Sequence, residues 1–222
     1  MEHQMIKCFQ FKTDHSMIKL NDNISDPDDD DSLVEIKILQ DSDNRYSSIT
    51  WPSADLLCRF ILTNRMMFVG KTILELGSGT GICGIMAAKI GAKVILSDQT
   101  IDNSELILSN VDLNDVEARY IPLDWSKRTD LISDQIPNDL DYIIGSDLCY
   151  EDERQFEKLL FTIAFLFENN QQKTIPFYMA YHFRSSNYQI ECLLRKFKLQ
   201  CKLLFHSENL KIYLYEITLK NY

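Results

Sequence analysis

Two strand-like segments, 199–206 and 211–219, follow each other with only Ser207 to Leu210 between them. Parallel neighbours need a crossover of about a dozen residues or more, so so short a connection obliges this pair to run antiparallel. The chain from Lys71 up to that point follows another rule. Apolar runs at 72–76, 93–97, 118–123, 140–146 and 174–181 read as strands, and 82–90, 103–114, 152–168 and 186–197 carry helical spacing. Strands alternating with helices predict βα units and a parallel sheet covered on both faces. The expected fold is α/β, with five parallel strands followed by an antiparallel hairpin.

Ahead of this sheet, residues 5–13 and 33–39 alternate polar and apolar with a period of two, as half-buried strands do. Residues 1–45 are therefore expected to form a β-hairpin extension, with residues 46–222 the main domain. The hairpin's loop, 22–32, holds Asp22, Asp26, Asp28, Asp29, Asp30 and Asp31 around Pro27. Such a run cannot pack and reads as a solvated tip; the sharper reading is an electrostatic lure for a basic peptide. The net charge of -10 argues against non-specific nucleic-acid binding and favours a basic protein partner. With 45% hydrophobic and 25% charged residues, composition excludes a disordered or fibrous chain. No run approaches the ~20 apolar residues of a membrane-spanning helix, and no secretory signal is visible. Six scattered cysteines without C-x-x-C suit neither a disulfide framework nor a zinc site. A reduced compartment follows: cytoplasm is expected, with the nucleus allowed, and the protein is expected to be a monomer.

Of seven glycines, three stand in Gly77-Ser78-Gly79-Thr80-Gly81, between the strand 72–76 and the helix from Ile82. Glycines there let the backbone turn sharply and approach a ligand in front of a helix N-terminus. Gly79 to Gly84 also fits G-x-G-x-x-G, which is weak evidence for a dinucleotide. Either ligand class calls for an acidic residue about twenty positions on to hold ribose hydroxyls, and Asp98 ends the strand 93–97. Glu75 favours S-adenosylmethionine over a nicotinamide, because a carboxylate two residues before Gly77 suits an ammonium and repels a pyrophosphate. The position of the turn, after some seventy residues, points the same way, since a dinucleotide domain commonly opens with it. Leu123-Asp124-Trp125 follows the third strand of this sheet, where Trp125 either flanks an adenine or plugs the core edge. Trp51 either lines the site or staples onto Leu56 or Leu57, and Ser53 is a candidate helix N-cap. Asp147 and Tyr150, i and i+3 after the fourth strand, suit holding a nucleophilic nitrogen; alternatively Asp147 caps the next helix. Cys149 has no histidine near it in sequence and reads as a small buried residue.

Trp51-Pro52-Ser53, Glu75-Leu76-Gly77-Ser78-Gly79-Thr80-Gly81, Leu123-Asp124-Trp125 and Asp147-x-x-Tyr150 together resemble methyltransferase family 16, the seven-β-strand protein lysine methyltransferases and their relatives. Tyr181 to Ser186 and Glu191 to Phe197 extend the resemblance, which covers roughly residues 46–205. It implies a Rossmann-like, seven-stranded, S-adenosyl-L-methionine-dependent sheet and transfer of a methyl group to a protein side-chain nitrogen. By the same resemblance Glu75, Gly77, Gly79 and Gly81 cradle the methionine part of the cofactor and Asp98 its ribose. Trp51, Trp125 and Ser146 line the pocket, and Asp147 and Tyr150 meet the acceptor. A branch of the family linked to histone arginine carries phenylalanine where Tyr150 stands, which tilts the acceptor toward lysine and leaves arginine open. The other classes weighed are a cofactor-binding interaction module with weak or no activity, and a small-molecule methyltransferase.

Overall fold

The computed structural model describes residues 4–14, 16–20, 33–41, 49–99, 103–126, 135–148, 153–171, 175–183 and 190–220. In chain order the elements are β1 (Gln4–Phe11), β2 (Val34–Asp41), α1 (Pro52–Thr63), α2 (Arg65–Phe68), β3 (Thr72–Leu76) and α3 (Ile82–Lys89). There follow β4 (Lys93–Asp98), α4 (Ser104–Leu113), β5 (Ala118–Pro122), β6 (Tyr142–Ser146), α5 (Glu153–Asn169), β7 (Phe177–His182), α6 (Ile190–Lys196), β8 (Leu199–Ser207) and β9 (Ile212–Leu219).

Ile73 to Leu76 are buried on both faces of β3, which marks the centre of a covered parallel sheet. β4 and β6 flank it in parallel. β5 lies beyond β4 and β7 beyond β6, again parallel. The seven-stranded order is β5-β4-β3-β6-β7-β9-β8, with β9 antiparallel to both β7 and β8. The expected terminal hairpin is present, and its second strand is the one inserted next to β7. The order reverses between β4 and β6 about β3, so the carboxyl ends of these strands open the crevice where α/β sheets bind ligands.

Strand alternation divides the core in two. Ile73, Leu96 and Ile144 face α1 and α3, packing with Phe60, Ile61, Ile85 and Met86. Leu74, Leu76 and Ile143 face the other way, onto Leu159, Leu160 and Ile163 of α5 and Leu193 and Leu194 of α6. The β1–β2 hairpin is a separate antiparallel sheet, but its inward side chains Phe11, Ile36 and Ile38 join the α1–α3 core. Its β2 edge is closed by side chains. Asn110 Oδ1 accepts from Leu39 N–H (2.6 Å) and Asn110 Nδ2 donates to Leu39 O (3.2 Å). Asn114, which ends α4, does the same for Lys37 at 2.9 and 2.6 Å. The match is geometric: four residues of helix rise about 6 Å, and two residues of strand about 6.7 Å.

Several boundaries differ from expectation for identifiable reasons. β6 starts at Tyr142 because the Asp141 carboxylate accepts Thr72 N–H (2.9 Å) and Lys71 Nζ (3.0 Å), which pins the chain before the strand begins. β7 starts at Phe177, after Pro176, which has no N–H to give a ladder. Ser53 is not the N-cap. Trp51 holds that place (φ -83°, ψ 153°), Pro52 is the first helical residue and Ser53 is buried in the first turn, because proline's fixed φ and missing N–H suit the first position. The acidic loop 22–32 and the segment 184–189 lie outside the described residues.

Candidate active site

The turn after β3 has backbone that only glycine enters readily: φ is +59° at Gly77, +55° at Gly79 and +80° at Gly81. A Cβ on Gly77 would stand 2.5 Å from Leu148 Cδ2 and 3.6 Å from the Trp125 ring. Neighbouring strands hold the turn. Ser78 N–H donates to Ser97 O (2.8 Å), Ser97 N–H to Ser78 Oγ (3.0 Å) and Gly79 N–H to Asp98 Oδ2 (2.8 Å). The other oxygen of Asp98 accepts from Gln99 N–H (2.7 Å) and Asn103 Nδ2 (3.3 Å). Asp98 is thus a carboxylate fixed at the tip of β4, still half-buried and facing the cleft.

That cleft, about 900 Å³ with the open solvent at its mouth included, sits over the carboxyl ends of β3, β4 and β6. Its walls are Ile49, Thr50 and Trp51 before α1, the turn from Gly77 to Thr80, Asp98 and Gln99 after β4, and Asp124 and Trp125 after β5. Ala54, Ile82, Ser146, Asp147, Leu148 and Gln155 complete it. Asp147 is 4% exposed, has φ +57° and donates its N–H to Ala180 O at 2.9 Å. A non-glycine residue held left-handed and buried at the end of a central strand is a strained conformation of the kind that gathers at functional sites.

Of the residues singled out from the sequence, Trp51, Gly77, Gly79, Asp98, Trp125, Ser146 and Asp147 come together in this cleft. Both tryptophans stand in the wall. Gly81 lies behind it, at the start of α3. Tyr150 lies outside the described residues, as does Cys149. Glu75 is placed differently from expectation. It is 1% exposed and not part of the cleft wall, and Oε2 accepts Gly84 N–H at 3.0 Å. Burial raises its pKa to about 8 against the opposing pull of the Gly84 N–H and the Ser78 side chain, so at neutral pH it is mostly a neutral acid. Alternation explains this: with Ile73 turned toward α3, Glu75 two residues on turns the same way. The carboxyl expected at a ligand's ammonium braces the turn from beneath.

Sequence reasoning passed over Thr50, Thr80, Gln155 and Asn110. Asn110 carries a visible signal: with Ile107, Val111 and Asn114 it falls at i, i+3, i+4 and i+7 on the inward stripe of α4, where Asn110 and Asn114 are 0% and 5% exposed. Amides on an apolar stripe announce a buried polar partner.

The donor set decides between ligand classes. The described cleft wall carries three carboxylates, Asp98, Asp124 and Asp147, and no lysine, arginine or histidine. A pyrophosphate would meet three carboxylates there and no cationic side chain; a ligand with cationic centres, a ribose and an adenine meets carboxylates, glycine backbone and two indoles. The residues fit S-adenosylmethionine.

Comparison with known proteins agrees. A family model described as lysine methyltransferase matches residues 30–192. The histone-arginine methyltransferase METTL23 of Mus musculus is 32% identical over 173 residues, 77% of this chain and 66% of the mouse protein, so the chain spans just under two thirds of that relative. The protein of the same name from Xenopus laevis is 34% identical over 179 residues, 78% of this chain and 73% of its own. The protein-lysine methyltransferase METTL21E of Mus musculus is 29% identical over 187 residues, 81% and 74% of the two chains. Among solved structures, a SAM-dependent methyltransferase from Agrobacterium tumefaciens superposes with a TM-score of 0.58 at 16% identity, covering 84% of this chain and 68% of its own. The T. thermophilus 16S rRNA N2 G1207 methyltransferase in complex with AdoMet and guanosine gives 0.60 at 15%, covering 85% and 48%. At these identities the two structures speak for the fold alone.

Proposed function

The chain belongs to the lysine methyltransferase family, and from that premise we propose that it transfers a methyl group from S-adenosyl-L-methionine to a side-chain nitrogen of a basic protein, with lysine slightly favoured over arginine. The observation that carries this reading is the cleft wall: three carboxylates, two tryptophans and a glycine turn, with no basic side chain among the described residues.

The chemistry the cofactor supplies is a methyl group on a sulfonium, open to in-line displacement by an uncharged nitrogen. The protein's part is placement. Gly77 and Gly79 let the backbone come close to the methionine part, and the Asp98 carboxylate accepts from ribose hydroxyls. Trp51 and Trp125 close the walls against water, and Ser146 lines the pocket with them. Asp147 accepts a hydrogen bond from the acceptor nitrogen and turns its lone pair toward the methyl carbon; Tyr150 is its proposed companion. Holding the two partners at about 3–3.5 Å and in line supplies several kcal/mol of the barrier. A lysine amine, with an ordinary pKa of about 10.4, can shed its proton beside a cationic centre, whereas a guanidinium, above about 12, cannot. An arginine acceptor instead needs carboxylates that grip it in a fork. The proposed pairing of Asp147 with Tyr150 supports lysine, where a pairing of Asp147 with Glu151 or Glu153 would suit arginine; the name of the METTL23 relatives supports arginine.

The test is methyl transfer from labelled cofactor to proteins of a cell lysate, with mass spectrometry of the labelled band to give target and residue type. One labelled protein band is expected. Label confined to small molecules, or none at all, overturns the proposal. In the same assay Asp147→Asn should lower transfer by about a hundredfold or more with cofactor binding retained, as a polar group acting on the reacting nitrogen commonly does. Unimpaired transfer would remove Asp147 from the acceptor.

A further inference from the structure

The inward face of β2 reads Ile36, Ile38, Gln40, with exposures of 0%, 0% and 4%. Packing accounts for the two isoleucines and gives no reason for an amide at the third place. Gln40 Nε2 donates to Thr50 Oγ1 at 2.8 Å, and Thr50 Oγ1 lies 3.3 Å from Thr80 Oγ1, one hydroxyl donating to the other. Thr50 and Thr80 both stand in the cleft wall. A second route reaches the same residue: Asn110 Nδ2 donates to Thr80 O (3.0 Å) while the same amide pairs with both backbone groups of Leu39. Thr80, between two left-handed glycines, is therefore tied at its hydroxyl and at its carbonyl, and both ties lead back to adjacent residues of one hairpin strand.

We propose that Gln40 is a positioning residue for cofactor binding: through Thr50 it fixes the Thr50–Thr80 contact that joins the Trp51 wall to the glycine turn, so that the N-terminal hairpin sets the affinity for S-adenosylmethionine. The proposal rests on the cofactor reading given above. Glycine backbone has wide freedom, and a turn that must present its atoms to a ligand binds more tightly when held in the bound shape beforehand. Gln40 never touches the ligand in this scheme; it acts by keeping the two walls in register.

The experiment is a double-mutant cycle read by calorimetric titration of S-adenosylmethionine into the full chain, using wild type, Gln40→Met, Thr50→Val and the double variant. Each single variant is expected to weaken binding about three- to tenfold, the range of one hydrogen bond, and the double variant no more than the weaker single one, because both cut the same tie. In methyl transfer the loss is expected in KM for the cofactor rather than in kcat, a split that general loosening of the fold would not give. Wild-type affinity in Gln40→Met, or losses that multiply in the double variant, overturns the proposal. Should Gln40→Met fail to fold, Thr50→Val alone decides: unchanged affinity there is equally fatal. A wild-type chain that gives no heat with the cofactor overturns the cofactor reading itself, whereas binding wild type with an indifferent Gln40→Met overturns only the role of the hairpin.

Discussion

Replacing Glu75 by glutamine tests whether the carboxyl beneath the glycine turn is neutral in the folded protein. Burial lifts its pKa from 4.5 to about 8. Between those values the unfolded chain has lost the proton and the folded chain keeps it, so the folded state binds more protons and stability must fall as pH rises. Each pH unit removes about 1.4 kcal/mol. The contribution is whole below pH 4.5, is down by about 3 kcal/mol at pH 7, and is lost by about 5 kcal/mol once the pH passes 8. Glutamine keeps an acceptor for Gly84 N–H, has nearly the same volume and does not titrate. Urea unfolding of both proteins at pH 5, 6, 7 and 8 should show Glu75→Gln gaining on wild type by about 4 kcal/mol across that range, every other titrating group cancelling in the difference. Two stability curves that run parallel from pH 5 to pH 8 would refute the neutral carboxyl, and with it the brace ascribed to it.

Gly84→Ala would put a Cβ against Leu96 Cδ2 and 2.7 Å from Glu75 Oε2, prising α3 from β4; a loss of about 1–3 kcal/mol is expected in thermal or urea melts, and an unchanged midpoint contradicts the packing. Asn114→Ala removes both partners of the Lys37 backbone and should cost about 1–3 kcal/mol. Hydrogen exchange should then quicken at Lys37 and not at Leu39, which Asn110 still holds. Asp98→Asn replaces a carboxylate that accepts from Gly79, Gln99 and Asn103, and cofactor affinity by calorimetry should drop about tenfold or more, as for a charge-assisted hydrogen bond; full affinity would take Asp98 off the ribose.

The sheet was legible because its signals are local. Apolar runs, helical stripes and a four-residue hairpin connection each lie within one window of chain, and together they specify five parallel strands and an antiparallel pair. The cleft was legible for the same reason, since Gly77, Gly79, Trp125 and Asp147 follow strands, Asp98 ends one, and strand ends converge in this fold. What sequence could not show is contact at long range. Asn110 meets Leu39 across seventy-one residues and Asn114 meets Lys37 across seventy-seven, and no periodicity names the partner of a buried amide. Glu75 illustrates a different shortfall: motif spacing says nothing of which face of β3 a side chain takes, and alternation with Ile73 turned it inward. Ser53 shows propensity overruled by its neighbour, since Pro52 claims the first helical position.

The insertion of β9 between β7 and β8 dictates the order in which this sheet can be assembled. On the ribosome β8 emerges first, yet its ladder is made with β9, from Leu199 on Leu219 to Ser207 on Ile212. A nascent chain halted after Leu210 would hold five parallel strands, a bare flank on β7 and one strand with nothing to pair. Such surfaces invite pairing with other chains. Two of the seven strands, β8 whole and β7 along its outer edge, therefore wait during synthesis for eight residues that come after them.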